Sequence, residues 1–159
     1  MNSIIKEYYP IFQMYQALRD QLMDIVGDDD LSFRPAGENP TLGALCREIG
    51  EVEQSYIESF KSFKLDFSCR NEEAGLETSV KKLAAWFKQL DDALKAVVEA
   101  LSEGDIAGRM IDRGGDFKLP PQIQLNVYQE ALLIFYGKSS VYLKAMGKPL
   151  PKQWQEWIG

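Results

Sequence analysis

The sequence predicts an all-α protein, a four-helix bundle in which residues 1–159 form one domain. Three observations carry that expectation. Apolar residues recur every three or four positions over four stretches of roughly twenty residues each. Clusters of proline, glycine and aspartate separate those stretches. Only one short segment, ahead of the last stretch, has any strand-like character. A chain of 159 residues buries enough surface to hold a core without a disulfide or a structural metal.

The first stretch places Ile4, Tyr8, Ile11, Tyr15, Leu18, Leu22 and Ile25 on one helix face. Pro10 either starts the regular helix near Tyr8 or kinks it, because proline is best tolerated in a first turn. Gly27 and the run Asp28-Asp29-Asp30 end it, and a polar linker with Pro35 and Gly37 extends to Asn39. Thr41, after Pro40, has the hydroxyl of an N-cap. The second helix then carries Leu42, Leu45, Ile49, Val52, Tyr56 and Phe60 to about Phe63. Residues 63–75 have no period and read as a loop.

The third helix repeats Val80, Leu83, Phe87, Leu90, Leu94, Val97 and Leu101, with Lys81, Lys82, Lys88, Asp91, Asp92 and Lys95 on its solvated faces. Gly104 stops it. Between Arg109 and Leu119, the turn residues Arg113-Gly114-Gly115-Asp116 predict a small hairpin or an irregular crossover. Their spacing matches no phosphate-binding loop, so turn chemistry explains them better. Pro120-Pro121 open the fourth helix, whose stripe is Leu125, Tyr128, Leu132, Phe135, Ser139, Tyr142 and Met146, with Gly147 as the C′ residue. The indoles of Trp154 and Trp157 fold back onto the bundle or meet a partner subunit. The long third connection implies a crossover in place of plain up-down order.

Composition narrows the function classes. The 45% hydrophobic and 26% charged content belongs to a folded protein. With a net charge of −6 and no basic stripe, nucleic acid is not an expected partner. No apolar run is long enough to span a bilayer, and the N-terminus lacks the pattern of a secretory signal, so the expected location is the cytoplasm. Cys46 and Cys69 read as free thiols without metal-type spacing. An aromatic content of 11% and the prevalence of twofold assemblies lead us to expect a homodimer.

Two stretches carry a family resemblance. Ala131-Leu132-Leu133-Ile134-Phe135-Tyr136-Gly137-Lys138 through Leu143-Lys144-Ala145-Met146-Gly147-Lys148-Pro149 resembles the last helix of DinB-like proteins, and Pro40-Thr41-Leu42-Gly43-Ala44-Leu45-Cys46-Arg47-Glu48-Ile49 resembles their second. Element order agrees, so the resemblance covers most of the chain. It implies a bundle of the DinB-like metalloenzyme class, whose typical members bind a divalent metal through one histidine on the second helix and a His-x-x-x-His pair on the fourth. Such members are thiol-dependent transferases or hydrolases. Carried onto this chain, those positions fall on Glu48, Ala131 and Phe135. The chain has no histidine at all, and a shift by one residue, to Glu130 and Ile134, restores no ligand pair.

The remaining chemistry is sparse. Glu48, Glu51, Glu53 and Glu130 read as solvated or paired with Arg47 and Lys138. Their functional alternative is a hard-cation site, with Glu48 and Glu51 three apart on one face and Glu130 approaching from the fourth helix. Cys46 reads as a small core residue, since a catalytic thiol needs a base or cation to depress its pKa. Tyr15, Tyr56, Tyr128, Tyr136 and Tyr142 read as core residues with a hydroxyl at the edge. Ser139 either hydrogen-bonds back to position 135 of its own helix or contacts something in the pocket.

The preferred expectation is a non-enzymatic bundle with no cofactor that binds a small apolar or thiol ligand, or another protein. Its pocket lies at Glu48, Ala131 and Phe135, with Glu51, Glu130 and Ser139 as polar contributors. The alternative is a thiol- or metal-dependent transferase or hydrolase that uses these carboxylates as ligands.

Overall fold

The predicted first helix is two. The structure, a computed structural model that describes Met1–Gly159, begins with α1 (Ser3–Glu7), which ends at Tyr8, and α2 (Tyr9–Ile25) follows at once. Pro10 lies in the first turn of α2, where its missing amide hydrogen leaves no bond unmade. After the break Tyr9, Phe12, Gln16 and Arg19 turn inward beside the predicted Leu18 and Leu22, whereas the predicted core residue Ile11 is 57% exposed. Asn2 is the N-cap that sequence reasoning missed. Its Oδ1 accepts from the Ile5 amide at 3.0 Å, and its Nδ2 donates to the carbonyls of Val98 and Leu101 at 2.7 and 2.9 Å.

The second helix, α3 (Leu42–Ser62), starts at Thr41, whose hydroxyl accepts from the Ala44 amide, and ends at Phe63 in a left-handed conformation. A 3-10 turn, Leu76–Thr78, then leads into α4 (Val80–Glu99), capped by Ser79. α4 stops one turn before Gly104. Ser102 and Asp105 form a capping box that opens a separate short helix, α5 (Glu103–Gly108), which contains Gly104. The segment that follows is the hairpin alternative: β1 (Ile111–Asp112) pairs antiparallel with β2 (Lys118–Leu119). α6 (Pro121–Ala145) matches its predicted span, and Gly147, with φ of +70°, closes it as the Lys148 amide reaches back to the Leu143 carbonyl. The tail folds back as α7 (Lys152–Trp157). Trp154 is fully buried, and its indole donates to the Leu18 carbonyl at 3.0 Å; Trp157 lies against Tyr15.

In cross-section α2 packs on α4 and α6, and α3 packs on the same two helices. Helices α2 and α3 therefore occupy one diagonal, so both the 26–41 and the 100–120 connections cross an end of the bundle. On α3, a Cβ at Gly43 would stand 1.9 Å from the Glu77 carbonyl oxygen, and one at Gly50 would stand 2.4 Å from the Trp86 ring. Glycine at position 43 lets α3 press against the 3-10 turn, and glycine at position 50 lets it press against α4. No helix is long and apolar enough to cross a membrane.

Candidate functional site

Glu48, Ala131 and Phe135 come together. Leu45, Glu48, Ile49 and Val52 of α3 and Ala131, Ile134, Phe135 and Lys138 of α6 line one cleft of about 140 Å³. Both quartets have the spacing i, i+3, i+4, i+7, so two helical stripes face each other across the opening. Six of the eight side chains are apolar. Glu48 and Lys138 supply one carboxylate and one ammonium and are largely exposed, while Ile49 and Phe135 are buried beneath. No hydroxyl, thiol or imidazole lines the cleft, so it holds no nucleophile and base in reach of each other.

Glu48 and Val52 also line a wider trough of about 490 Å³ on the other side of α3, with Arg47, Glu51, Ser55, Phe67 and Arg70. Glu51 is engaged there. It accepts from the Asn71 amide at 3.0 Å and lies 3.6 Å from the guanidinium of Arg47, which also pairs with Glu77 at 2.8 Å.

Glu130 does not join the cleft. It is exposed on α6, one residue and hence about 100° around the helix from Ala131. Ser139 is not part of the lining either: it is fully buried, and its hydroxyl has no hydrogen-bond partner, so the predicted bond back to position 135 is absent. Cys46 is buried in the core, and burial pushes its thiol up to about 12, with the nearby Arg19 charge only partly offsetting this.

The donor set at the cleft does not fit the metal that the resemblance implies. One exposed carboxylate faces Ala131 and Phe135, neither of which has a ligating atom, and no group of three or more His, Cys, Asp or Glu side chains is placed to hold a metal ion.

Sequence reasoning missed the main polar assembly, which lies inside the bundle. Arg19 of α2, fully buried, reaches Glu53 Oε2 of α3 and Asp91 Oδ1 of α4, both at 2.6 Å. Gln16 donates to the same Asp91 oxygen at 2.5 Å, and the guanidinium stacks over Phe87 with its carbon 4.1 Å from the ring centre. Glu53 was predicted to be solvated or paired with Arg47 or Lys138, and Asp91 to be solvated. Glu53 is instead fully buried and Asp91 half-buried, each beside its helix's apolar stripe and paired with the buried Arg19.

Burial raises the pKa of Asp91 well above the usual carboxylate range, to about 8; Arg19 opposes this and Glu53 reinforces it. Burial likewise raises Tyr128 and Tyr136. Tyr136 donates to the Tyr15 carbonyl at 2.6 Å, whereas the hydroxyl of Tyr128 and Oε1 of Glu53 have no hydrogen-bond partner. The only signal was position: Gln16, Arg19 and Glu53 each stand one residue after a stripe position, at Tyr15, Leu18 and Val52. None of Arg19, Glu53 and Asp91 lines the cleft.

With fold and cleft in view, comparison with known proteins decides the family. The model of the DinB superfamily matches residues 12–135. The chain belongs to the DinB superfamily. Two crystal structures share the fold. A DinB-like protein from Bacillus subtilis is 20% identical, with a TM-score of 0.71 over 94% of this chain and 96% of that one. A DinB-like protein from Bacillus cereus is 18% identical, with a TM-score of 0.77 over 92% and 95%. No curated protein matches.

Proposed function

We propose that this DinB-superfamily chain is a small-ligand-binding protein that uses the family's metal position as an apolar cleft. The observation that carries this reading is the convergence of Glu48, Ala131 and Phe135 on one opening walled by Leu45, Ile49, Val52 and Ile134. Apolar walls favour a ligand group of a few heavy atoms by removing it from water. Glu48 and Lys138 add one charged contact of each sign, and Arg47 and Arg70 border the adjoining trough. The fitting ligand has a short apolar part, or a thiol, and a polar end. The expected location is the cytoplasm, where Cys46 and Cys69 stay reduced.

The test is a titration of isotope-labelled protein with 1-butanethiol and 1-butanol, followed by amide and methyl chemical shifts. Saturable shifts confined to the cleft residues of α3 and α6, lost in Val52→Phe, support the reading. Shifts that never saturate, or that spread over the whole surface, count against it.

A further inference from the structure

α6 has an unpartnered outer face. Only Glu130, Lys138 and Lys144 of its 25 residues are charged, and Ile134 is 61%, Val141 56% and Ile123 40% exposed. A surface helix of a free monomer ordinarily turns a charged face to water, as α4 does with Lys81, Lys88, Asp92 and Lys95.

The pattern on this face is self-complementary about Ile134. Four residues to either side stand Glu130 and Lys138, of opposite charge; three to either side stand Ala131 and Gly137, both small; seven to either side stand Val127 and Val141. At eleven the pair is Ile123 and Ala145. These positions all lie within about 60° of Ile134 around the helix, at 100° per residue. A Cβ at Gly137 would meet nothing within 4 Å, so no contact inside the chain explains a glycine that weakens the helix interior.

We infer that the outer face of α6 binds the same face of a second copy, antiparallel, on a twofold axis passing at Ile134. A twofold contact brings each residue opposite the one equally far on the other side of the axis. Glu130 of each copy thus meets Lys138 of the other, twice over, and parallel packing would lose that match. Ala131 and Gly137 sit together next to the crossing, where small residues let helix axes approach closely. The apolar pairs extend the contact over residues 123–145, about 33 Å of helix at 1.5 Å per residue. Ile134 and Lys138 also line the cleft, so the second copy stands beside its mouth. The pairing rests on the face alone and does not depend on the ligand reading.

Sedimentation velocity over 1–200 µM (about that range suits a contact of this size) tests it with the full chain, its folding checked by circular dichroism. The native protein is expected to be a dimer at the upper end. Glu130→Lys and Lys138→Glu each place like charges opposite one another at two symmetric points, and each should weaken the dimer on the order of tenfold. The double variant Glu130→Lys/Lys138→Glu restores both pairs and should recover native affinity. All these positions are exposed and outside the core, so the variants keep the fold. A monomer at every concentration overturns the inference, including one whose α6 face binds lipid vesicles or a different protein. So does a dimer indifferent to the single exchanges, or one that the double exchange fails to restore.

Discussion

Arg19 is the residue on which the interior electrostatics turn. It is fully buried against Glu53, with Asp91 as its second partner, so deleting its charge leaves the Glu53 carboxylate buried without a counter-charge. Arg19→Leu is expected to lower stability by about 3–5 kcal/mol at neutral pH. The native protein has its own pH signature. Asp91 is raised to about 8 in the fold, so the native state holds a proton that the unfolded chain releases at an ordinary carboxylate pKa of about 3.9. The stability linked to Asp91 is therefore present in full below that value and is lost as pH rises through about 8. Urea unfolding between pH 5 and 9 should show this decline, and Asp91→Asn, which stays neutral, should flatten it. A native profile that does not fall over this range would contradict the assignment. The two thiols separate by the same physics: in native protein Cys69 should react with a disulfide reagent and Cys46 should wait for denaturant.

At the scale of elements, helix spans were legible because caps and stripes are local. Thr41, Pro120-Pro121 and Gly147 mark boundaries by the chemistry of their own side chains and backbone. What was not legible depended on distant partners. Ile11 lost its core place because Tyr9 and Phe12 face the core at the start of α2. Asn2 caps α1 while holding the carbonyls at the end of α4, a pairing that no local pattern reveals. The contact of α3 with the 3-10 turn Leu76–Thr78 yields a direct prediction. Gly43→Ala would push a methyl group into the Glu77 carbonyl, and overpacking against backbone costs about 1–3 kcal/mol. Chemical denaturation should show that loss; an unchanged midpoint would mean that the 3-10 turn has room to shift away from α3.

For the whole molecule, the bundle was readable from sequence because its stripes are periodic, and the shared cleft of residues 48, 131 and 135 was anticipated only through the family resemblance. Other placements required the assembled fold. Glu130 lies outside the cleft lining, Ser139 is buried without a partner, and Arg19 and Glu53 form their ion pair inside the bundle. The structure thus separates two things that a list of polar residues merges: an apolar cleft that includes Glu48, Ala131 and Phe135, and a buried ionic network that touches no cavity wall of that cleft. The most direct measurement restores the ligands. Glu48→His, Ala131→His and Phe135→His in one chain place three imidazoles around the cleft, and metal content after equilibration with Zn²⁺ or Ni²⁺ and gel filtration compares the variant with the native protein. One equivalent of metal retained by the variant and none by the native chain is the predicted result. Stoichiometric metal on the native protein, lost in Glu48→Ala, would contradict the apolar reading, and a triple variant that folds but holds no metal would show that these positions are not the family site.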